Sequence, residues 1–412
     1  MKRVVISIVI VLVLTIPLSI LLSIATEEEK NEAIIILPGI QGSVLYEPES
    51  NTIGWAAEDG DDLIAFLKGL REKVMFFNEN GEPANEMSEK LVPPVYDNVI
   101  EKWKYAVNLT EIAKIPLVGL SPTVIGGLAK EVEKAYEGSD QTVLVYQYDW
   151  RRSNSVEAAK LEKFIKERGF TDVKIIAHSM GGILASQFFA RSKANRDICS
   201  LYISMGTPYL GSLEMPKYME TSRLPNSFLT LPFGVNFPST YELLPIERFN
   251  KSNQFSSGET ALMVDGSYLD YSSTMEFYSS STKWGVKESG DPKPMFATLP
   301  EFSSKMFLEN GDHITSLVNS YYMQGIGHST IVTVCYENGE YVEEKDIRQT
   351  KGDGIVPLYS GICGLSETDP RVIIFERDTS IPNDEGSVGH MAFPSQPRIV
   401  EKILYLLSTV TG

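Results

Sequence analysis

Cysteine is scarce in this chain: Cys199, Cys335 and Cys363 are the whole supply in 412 residues. An odd count permits one bridge at most and leaves a free thiol, so a disulfide framework is excluded. Cys199 and Cys335 each sit in a strongly apolar run and read as small buried core residues. Histidine is nearly as rare, with only His178, His313, His328 and His390 to supply a general base. Basic charge is in deficit: 37 Lys and Arg stand against 54 Asp and Glu, for a net charge of −17. Such a surface repels phosphate backbones, which argues against nucleic acid as a partner. Internal repeats and low-complexity tracts are missing. The Asp312-His313 pair is too thin to form a metal site, and no cofactor is implied.

What remains is ordinary globular composition, 43% hydrophobic and 22% charged. The length suits one large domain with an inserted cap, or two domains. At the N-terminus Lys2 and Arg3 precede an uncharged stretch from Val4 to Thr26, followed by Glu27, Glu28 and Glu29. A basic start followed by an apolar run is an export signal, and Ser23 and Ala25 offer small residues for cleavage. The run also approaches the ~20 residues that span a bilayer. Residues 1–26 are therefore expected to be a signal peptide or an N-terminal membrane anchor, which puts the chain outside the cytoplasm.

Ala33 to Leu37 reads as a fully buried strand stopped by Pro38-Gly39. From Val44 to about Leu120 the pattern is mixed, with Trp55, Phe66 and Leu70 assigned to a short amphipathic helix. Regularity follows. Helices are expected over Leu128–Tyr136, Ser155–Arg168 and Gly181–Arg191, and strands over Thr142–Tyr148, Val173–Ala177 and Ile198–Met205. Ser155 is the expected N-cap of the second helix and Gly169 its stop. Continuous apolar strands separated by amphipathic helices mean a mostly parallel sheet covered on both faces. From Ser212 to about Gly325 the alternation lapses, and the segment reads as a cap. Thr330–Cys335 resumes strand character, Asn338-Gly339 signals a hairpin turn, Val372–Phe375 is the last buried strand, and Ser395–Leu407 is a closing helix.

The chemistry centres on Lys174-Ile-Ile-Ala-His-Ser-Met-Gly-Gly182, where a buried strand runs straight into Ser179 and a helix follows. This is a nucleophile elbow, which demands small residues two before and two after the serine because strand and helix nearly touch. Ala177 and Gly181 meet that demand. A serine hydroxyl needs a histidine to take its proton and a carboxylate to orient that histidine. Asp353, in Gly352-Asp-Gly-Ile-Val-Pro357, and His390, in Gly389-His-Met391, lie in loops in the order expected of an α/β-hydrolase. His328 competes as the base but precedes Asp353. His178, beside the serine, reads as structural because consecutive side chains at such a turn diverge. The oxyanion hole is expected at the N–H groups of Met180 and of Ile40 in Pro38-Gly-Ile-Gln-Gly42, although an ordinary Pro-Gly turn explains the latter segment as well.

Several segments together resemble the lecithin:cholesterol acyltransferase family, which includes lysosomal phospholipase A2. They are Leu37-Pro-Gly-Ile-Gln-Gly-Ser43, Tyr148-Asp-Trp-Arg151, Ala177-His-Ser-Met-Gly-Gly182, Gly206-Thr-Pro208 with Gly211-Ser212, Pro238-Ser-Thr-Tyr241 with Leu243-Leu-Pro245, Gly352-Asp-Gly-Ile-Val-Pro357, and Gly389-His390. The resemblance implies an α/β-hydrolase core with a cap over about 212–325 and a lid or membrane-touching insertion over about 46–125. It also implies Ser179, Asp353 and His390 as the triad, Ile40 and Met180 as oxyanion donors, and Trp55 as a lid tryptophan. The lid disulfide of the animal members is missing, since no cysteine precedes Cys199. The activity implied is transfer of an acyl chain from a lipid ester to the serine, then to water or an alcohol; apolar stretches such as Phe228–Phe233 suit an acyl chain and core packing equally well. An esterase for small soluble esters and a non-catalytic binding protein are the other two readings.

Overall fold

The structure is a computed structural model that describes residues 31–49, 52–55, 77–94 apart from 79, 122–221, 234–251, 254–282, 284–286, 290–380 and 388–410. The leader at 1–26, Phe66, Leu70, Phe228–Phe233 and most of the segment 46–125 lie outside the described residues.

Six strands form the central sheet: β1 (Glu32–Leu37), β4 (Thr142–Val145), β5 (Asp172–His178), β6 (Cys199–Met205), β9 (Ser320–Ile326) and β13 (Val372–Glu376). Their spatial order is β13-β9-β6-β5-β1-β4, and every pairing is parallel. Successive strand side chains point to opposite faces, so each strand feeds two cores. Ile35 and Leu37 of β1 and Ile175 and Ala177 of β5 join one cluster with Leu161, Leu184 and Phe188. Ile34, Ile36, Ile176 and Ile203 join the other with Leu128, Val132, Ile399 and Ile403. The helices that supply those partners are α1 (Gly126–Ala135), α2 (Asn154–Arg168), α3 (Met180–Arg191) and α4 (Pro397–Thr409). Helices α2 and α3 therefore cover one face, and α1 and α4 the other. That double burial is why the strands read as unbroken apolar runs. The fold is the α/β-hydrolase fold.

Helix α2 ends on Gly169 in the left-handed conformation (φ 66°), as its sequence suggests. Its start differs: the N-cap is Ser153, whose Oγ accepts from the Ser155 N–H at 3.2 Å. A tertiary contact moves it, because the half-buried Glu242 carboxylate accepts from Ser153 Oγ, Asn154 N and Asn154 Nδ2. Trp55 does not begin a helix; its backbone closes a two-stranded ribbon of β2 (Leu45–Glu47) and β3 (Thr52–Trp55).

Between β6 and β9 the chain leaves the sheet and returns. Its last stretch, Ser320–Ile326, is a central strand rather than cap, so the excursion closes near residue 319. The polar Ser320 and Gln324 disguise this strand, yet both are buried and bonded: the Gln324 amide donates to the carbonyls of Gly325 and Val356. A smaller sheet joins β7 (Leu262–Val264) and β8 (Ser267–Tyr268) to β10 (Thr330–Glu337), β11 (Glu340–Tyr341) and β12 (Ile347–Gln349). Asn338 (φ 51°) and Gly339 (φ 79°) form the two-residue hairpin turn between β10 and β11. All three cysteines are free and buried.

Arg151 is fully buried at the heart of this assembly. Its guanidinium donates twice to the Asp149 carboxylate, at 2.8 and 2.9 Å, and also to Ser88 Oγ, Ser88 O and Leu91 O. Burial alone would push the Asp149 carboxyl up, but the Arg151 charge and hydrogen bonds override it and hold the group below its ordinary value. Removing one member of such a pair leaves an uncompensated buried charge. Arg151→Met is therefore expected to lower unfolding free energy by about 3–5 kcal/mol in urea titration. Glu242 offers a pH test. Burial raises its carboxyl to about 7, against the opposing effect of its Ser153 and Asn154 donors. Because the folded value exceeds the unfolded 4.5, the native state binds the extra proton between those limits. That contribution to stability is lost as pH rises through the window. Glu242→Gln should flatten the decline of the urea midpoint between about pH 5 and 8, and an unchanged slope would exclude Glu242 as its source.

Candidate active site

The sharp turn between β5 and α3 sets the position of Ser179. Its backbone is at φ 53° and ψ −127°, outside the regions that L residues favour. The Ser179 N–H is tied to the Met205 carbonyl at 2.9 Å, and its carbonyl accepts from Gly182 N at 3.0 Å. Space explains the small residues. A β carbon on Gly181 would lie 2.5 Å from the Leu37 carbonyl oxygen and 2.7 Å from that of Pro38. One on Gly39 would lie 2.9 Å from Ser179 Cβ. The helix start, the nucleophile and the turn after β1 are thus in contact.

The acid and base arrive from further along the chain. Asp353 follows β12 of the smaller sheet, and its loop is laid along the end of β9: Gly327 N donates to Thr350 O at 2.7 Å and His328 N to Gly352 O at 3.2 Å. His390 lies beyond β13. Its Nδ1–H donates to Asp353 Oδ2 at 2.8 Å, and its Nε2 accepts from Ser179 Oγ at 2.9 Å. The second carboxylate oxygen, Asp353 Oδ1, accepts from Ile355 N at 3.0 Å and Val356 N at 2.7 Å. Both oxygens of a buried carboxylate are therefore satisfied, which offsets the cost of removing its charge from water. Ser179, Asp353 and His390 are 7%, 3% and 5% exposed. His328 meets the acid loop through its main chain, while the Asp353 carboxylate is turned to His390.

Ile40 and Met180 also come to this corner. Met180 is the buried first residue of α3, where backbone N–H groups lack helical acceptors. Ile40 sits in a hydrogen-bonded turn, Gly42 N to Gly39 O at 3.1 Å, with Gln41 left-handed at φ 62°. That turn is braced by residues whose role sequence reasoning missed. Tyr148 Oη donates to Pro38 O at 2.8 Å, Trp150 Nε1 to Ser43 O at 3.1 Å, and Ser43 Oγ accepts from Tyr148 N at 3.1 Å. Gly206 was likewise given no role. A β carbon there would lie 2.9 Å from Asp353 Oδ2 and 3.0 Å from His390 Nδ1, and its φ is +57°. The advance signals for Tyr148, Trp150 and Gly206 are their place in the segments that resemble the family and their position just after strands β4 and β6. Among the described residues no group of three or more His, Cys, Asp or Glu stands close enough to hold a metal.

Residues 120–283 match the family model described as lecithin:cholesterol acyltransferase. This stretch, less than half of the chain, is similar to that family's domain. The matched stretch of that domain contains Ser179 and ends before Asp353 and His390. The chain is similar to phospholipase A(1) LCAT3 of Arabidopsis thaliana, at 24% identity over 82% of this chain and 84% of the relative. It is also similar to lecithin-cholesterol acyltransferase-like 4 of the same plant, at 25% identity over 59% of this chain and 53% of the relative. Among solved structures, a chain of the Tle4–Tli4 complex shares the fold, with a TM-score of 0.62 and 13% identity over 93% of this chain and 99% of that one. The class of enzyme is accordingly that of the ester hydrolases and O-acyltransferases.

Gly206 is a steric test of the whole arrangement. Gly206→Ala should lower kcat on any turned-over ester by on the order of 10²-fold, because displaced reacting groups lose that much. Its circular dichroism and cooperative melting should remain. Full activity in the alanine variant would show that acid and base can move without consequence.

Proposed function

We propose that the chain is an exported serine lipase and acyltransferase that works through an acyl-enzyme on Ser179. The observation that carries this is the continuous chain of hydrogen bonds from Ser179 Oγ to His390 Nε2 and from His390 Nδ1 to Asp353 Oδ2. His390 takes the serine proton as Oγ attacks the ester carbonyl, and Asp353 stabilises the imidazolium that forms. The N–H groups of Met180 and Ile40 receive the developing oxyanion, the first from a helix N-terminus. Collapse of the tetrahedral intermediate expels the alcohol, which takes its proton from His390, and leaves the acyl group on Oγ. Water or an acceptor alcohol then gives its proton to His390, attacks the acyl-enzyme and restores the serine.

A lipid as acyl donor is supported by the family match and by the phospholipase named among the relatives. Contact with a membrane surface would bring such a donor to the site. Residues 1–26 act as the signal or the anchor that places the enzyme outside the cytoplasm. A cap over about 212–319 and a lid over about 46–125 complete the domain division, with the sheet strand Ser320–Ile326 belonging to the core.

The test is incubation with phospholipid vesicles, with and without a long-chain alcohol, beside Ser179→Ala. Wild type should release fatty acid and, with alcohol present, form the alkyl ester. Ser179→Ala should lower both by on the order of 10⁴-fold or more, and Asp353→Asn by on the order of 10³–10⁴-fold. Fatty acid without ester would restrict the activity to hydrolysis. A folded wild type that cleaves only small soluble esters would remove the lipid donor, and one that cleaves neither would leave a binding protein.

A further inference from the structure

The residue before the nucleophile has a place of its own in the geometry. His178 is 3% exposed, and its Nε2 lies 3.0 Å from the main-chain oxygen of His390. A carbonyl can only accept, so His178 carries its proton on Nε2 and donates it. Burial, together with the nearby His390, pushes its imidazole well below the usual histidine value, so the ring is neutral. The two rings are 4.8 Å apart. The neutral form is required there, because His390 becomes cationic during turnover and a second cation at that distance would oppose it.

His390 is held at four points. Asp353 supplies two: its carboxylate takes the ring Nδ1–H, and its carbonyl takes the backbone N–H at 2.9 Å. The dipeptide His178-Ser179 supplies the other two, with the serine hydroxyl on the ring Nε2 and the His178 Nε2–H on the backbone carbonyl. The main chain of the base is thus pinned between the acid and the residue before the nucleophile. The bond from Ser179 to the ring must break in each cycle as the proton moves, whereas the bond from His178 to the backbone need not. On the other side, His178 Nδ1 lies 3.4 Å from where a Gly39 β carbon would stand, so the same ring also packs against the turn that carries Ile40.

We infer that His178 is a positioning residue for the reaction: its Nε2–H fixes the His390 backbone so that the imidazole stays in line with Ser179 through the proton transfers. This rests on the proposed roles of Ser179 and His390. His178 touches neither substrate nor the reacting atoms in this role, so its loss should act on turnover and spare binding.

The choice of replacement separates positioning from packing. Glutamine can place an amide N–H near the reach of Nε2, whereas asparagine places one near Nδ1 and falls short of the carbonyl. Both are polar, neutral and smaller than histidine. The full-length His178→Gln and His178→Asn variants are compared with wild type on p-nitrophenyl butyrate, with melting temperatures recorded, and an alkyl fluorophosphonate probe reports serine reactivity. His178→Asn should lose on the order of 10–100-fold in kcat with KM within about 3-fold, and label more slowly by a similar factor. His178→Gln should recover at least half of that loss on a logarithmic scale at a comparable melting temperature. Equal kcat in His178→Asn and wild type would overturn the inference. So would equal losses in the two variants, or losses that follow melting temperature. Wild type that the probe labels in a Ser179-dependent way keeps the underlying reading intact in either case; failure of that labelling would remove the reading itself.

Discussion

Everything at the carboxyl ends of β1, β5 and β6 depends on there being no room for a side chain. At Gly181 and Gly39 a single β carbon would collide with the backbone after β1 or with Ser179 itself. At Gly182 it would meet the Thr207 side chain at 2.0 Å, and at Gly206 the acid and the base. Contact this close lets a parallel strand turn directly into a helix with the serine at φ 53°. Such a backbone costs roughly 1–3 kcal/mol and persists only where its surroundings over-determine it. The hydrogen bonds from Ser179 N to Met205 O and from Gly182 N to Ser179 O supply part of that determination.

Within this crowded corner the catalytic acid is fully paired. Asp353 spends one carboxylate oxygen on two backbone N–H groups of its own loop and the other on His390. The loop is itself secured by the end of β9, and Gly325 of β9 leaves room for the base loop, since a β carbon there would lie 2.0 Å from the Val388 carbonyl oxygen. The Arg151–Asp149 pair and the Glu242 bonds to the start of α2 extend the same logic outward. A low-dielectric interior makes each satisfied group rigid and each unsatisfied one costly, so such networks hold a single arrangement.

The parallel sheet was legible in advance because its strands are buried on both faces and so carry almost nothing but Val, Ile, Leu and Ala, as in Ala33–Leu37 and Val173–Ala177. Strand β9 was not. Ser320, Gln324 and Gly325 interrupt its apolar run; Ser320 bonds to its near neighbours Thr315 and Tyr322, whereas Gln324 and Gly325 are explained by residues distant in sequence, Val356 and Val388. Of the smaller sheet only β10 and its hairpin turn were legible; β7 was not, since it pairs with β10 in parallel across more than sixty residues of chain. The start of α2 shifted from Ser155 to Ser153 because a half-buried glutamate from far along the chain, Glu242, engages Ser153 and Asn154.

By itself the sequence determined the alternation of strand and helix, the elbow at Ser179 and the order in which serine, acid and histidine occur. These are properties of local period and local turn chemistry, which the chain carries wherever it folds. The tertiary structure brought together what chain order only ranked: His390, favoured over His328 because it follows Asp353, meets both the Asp353 carboxylate and the Ser179 hydroxyl. It also decided that Gly206 must lack a side chain and that Tyr148 and Trp150 brace the turn before Ser43. Those relations connect residues separated by roughly thirty to two hundred positions. Non-local packing sets them, and no short window of sequence contains both partners.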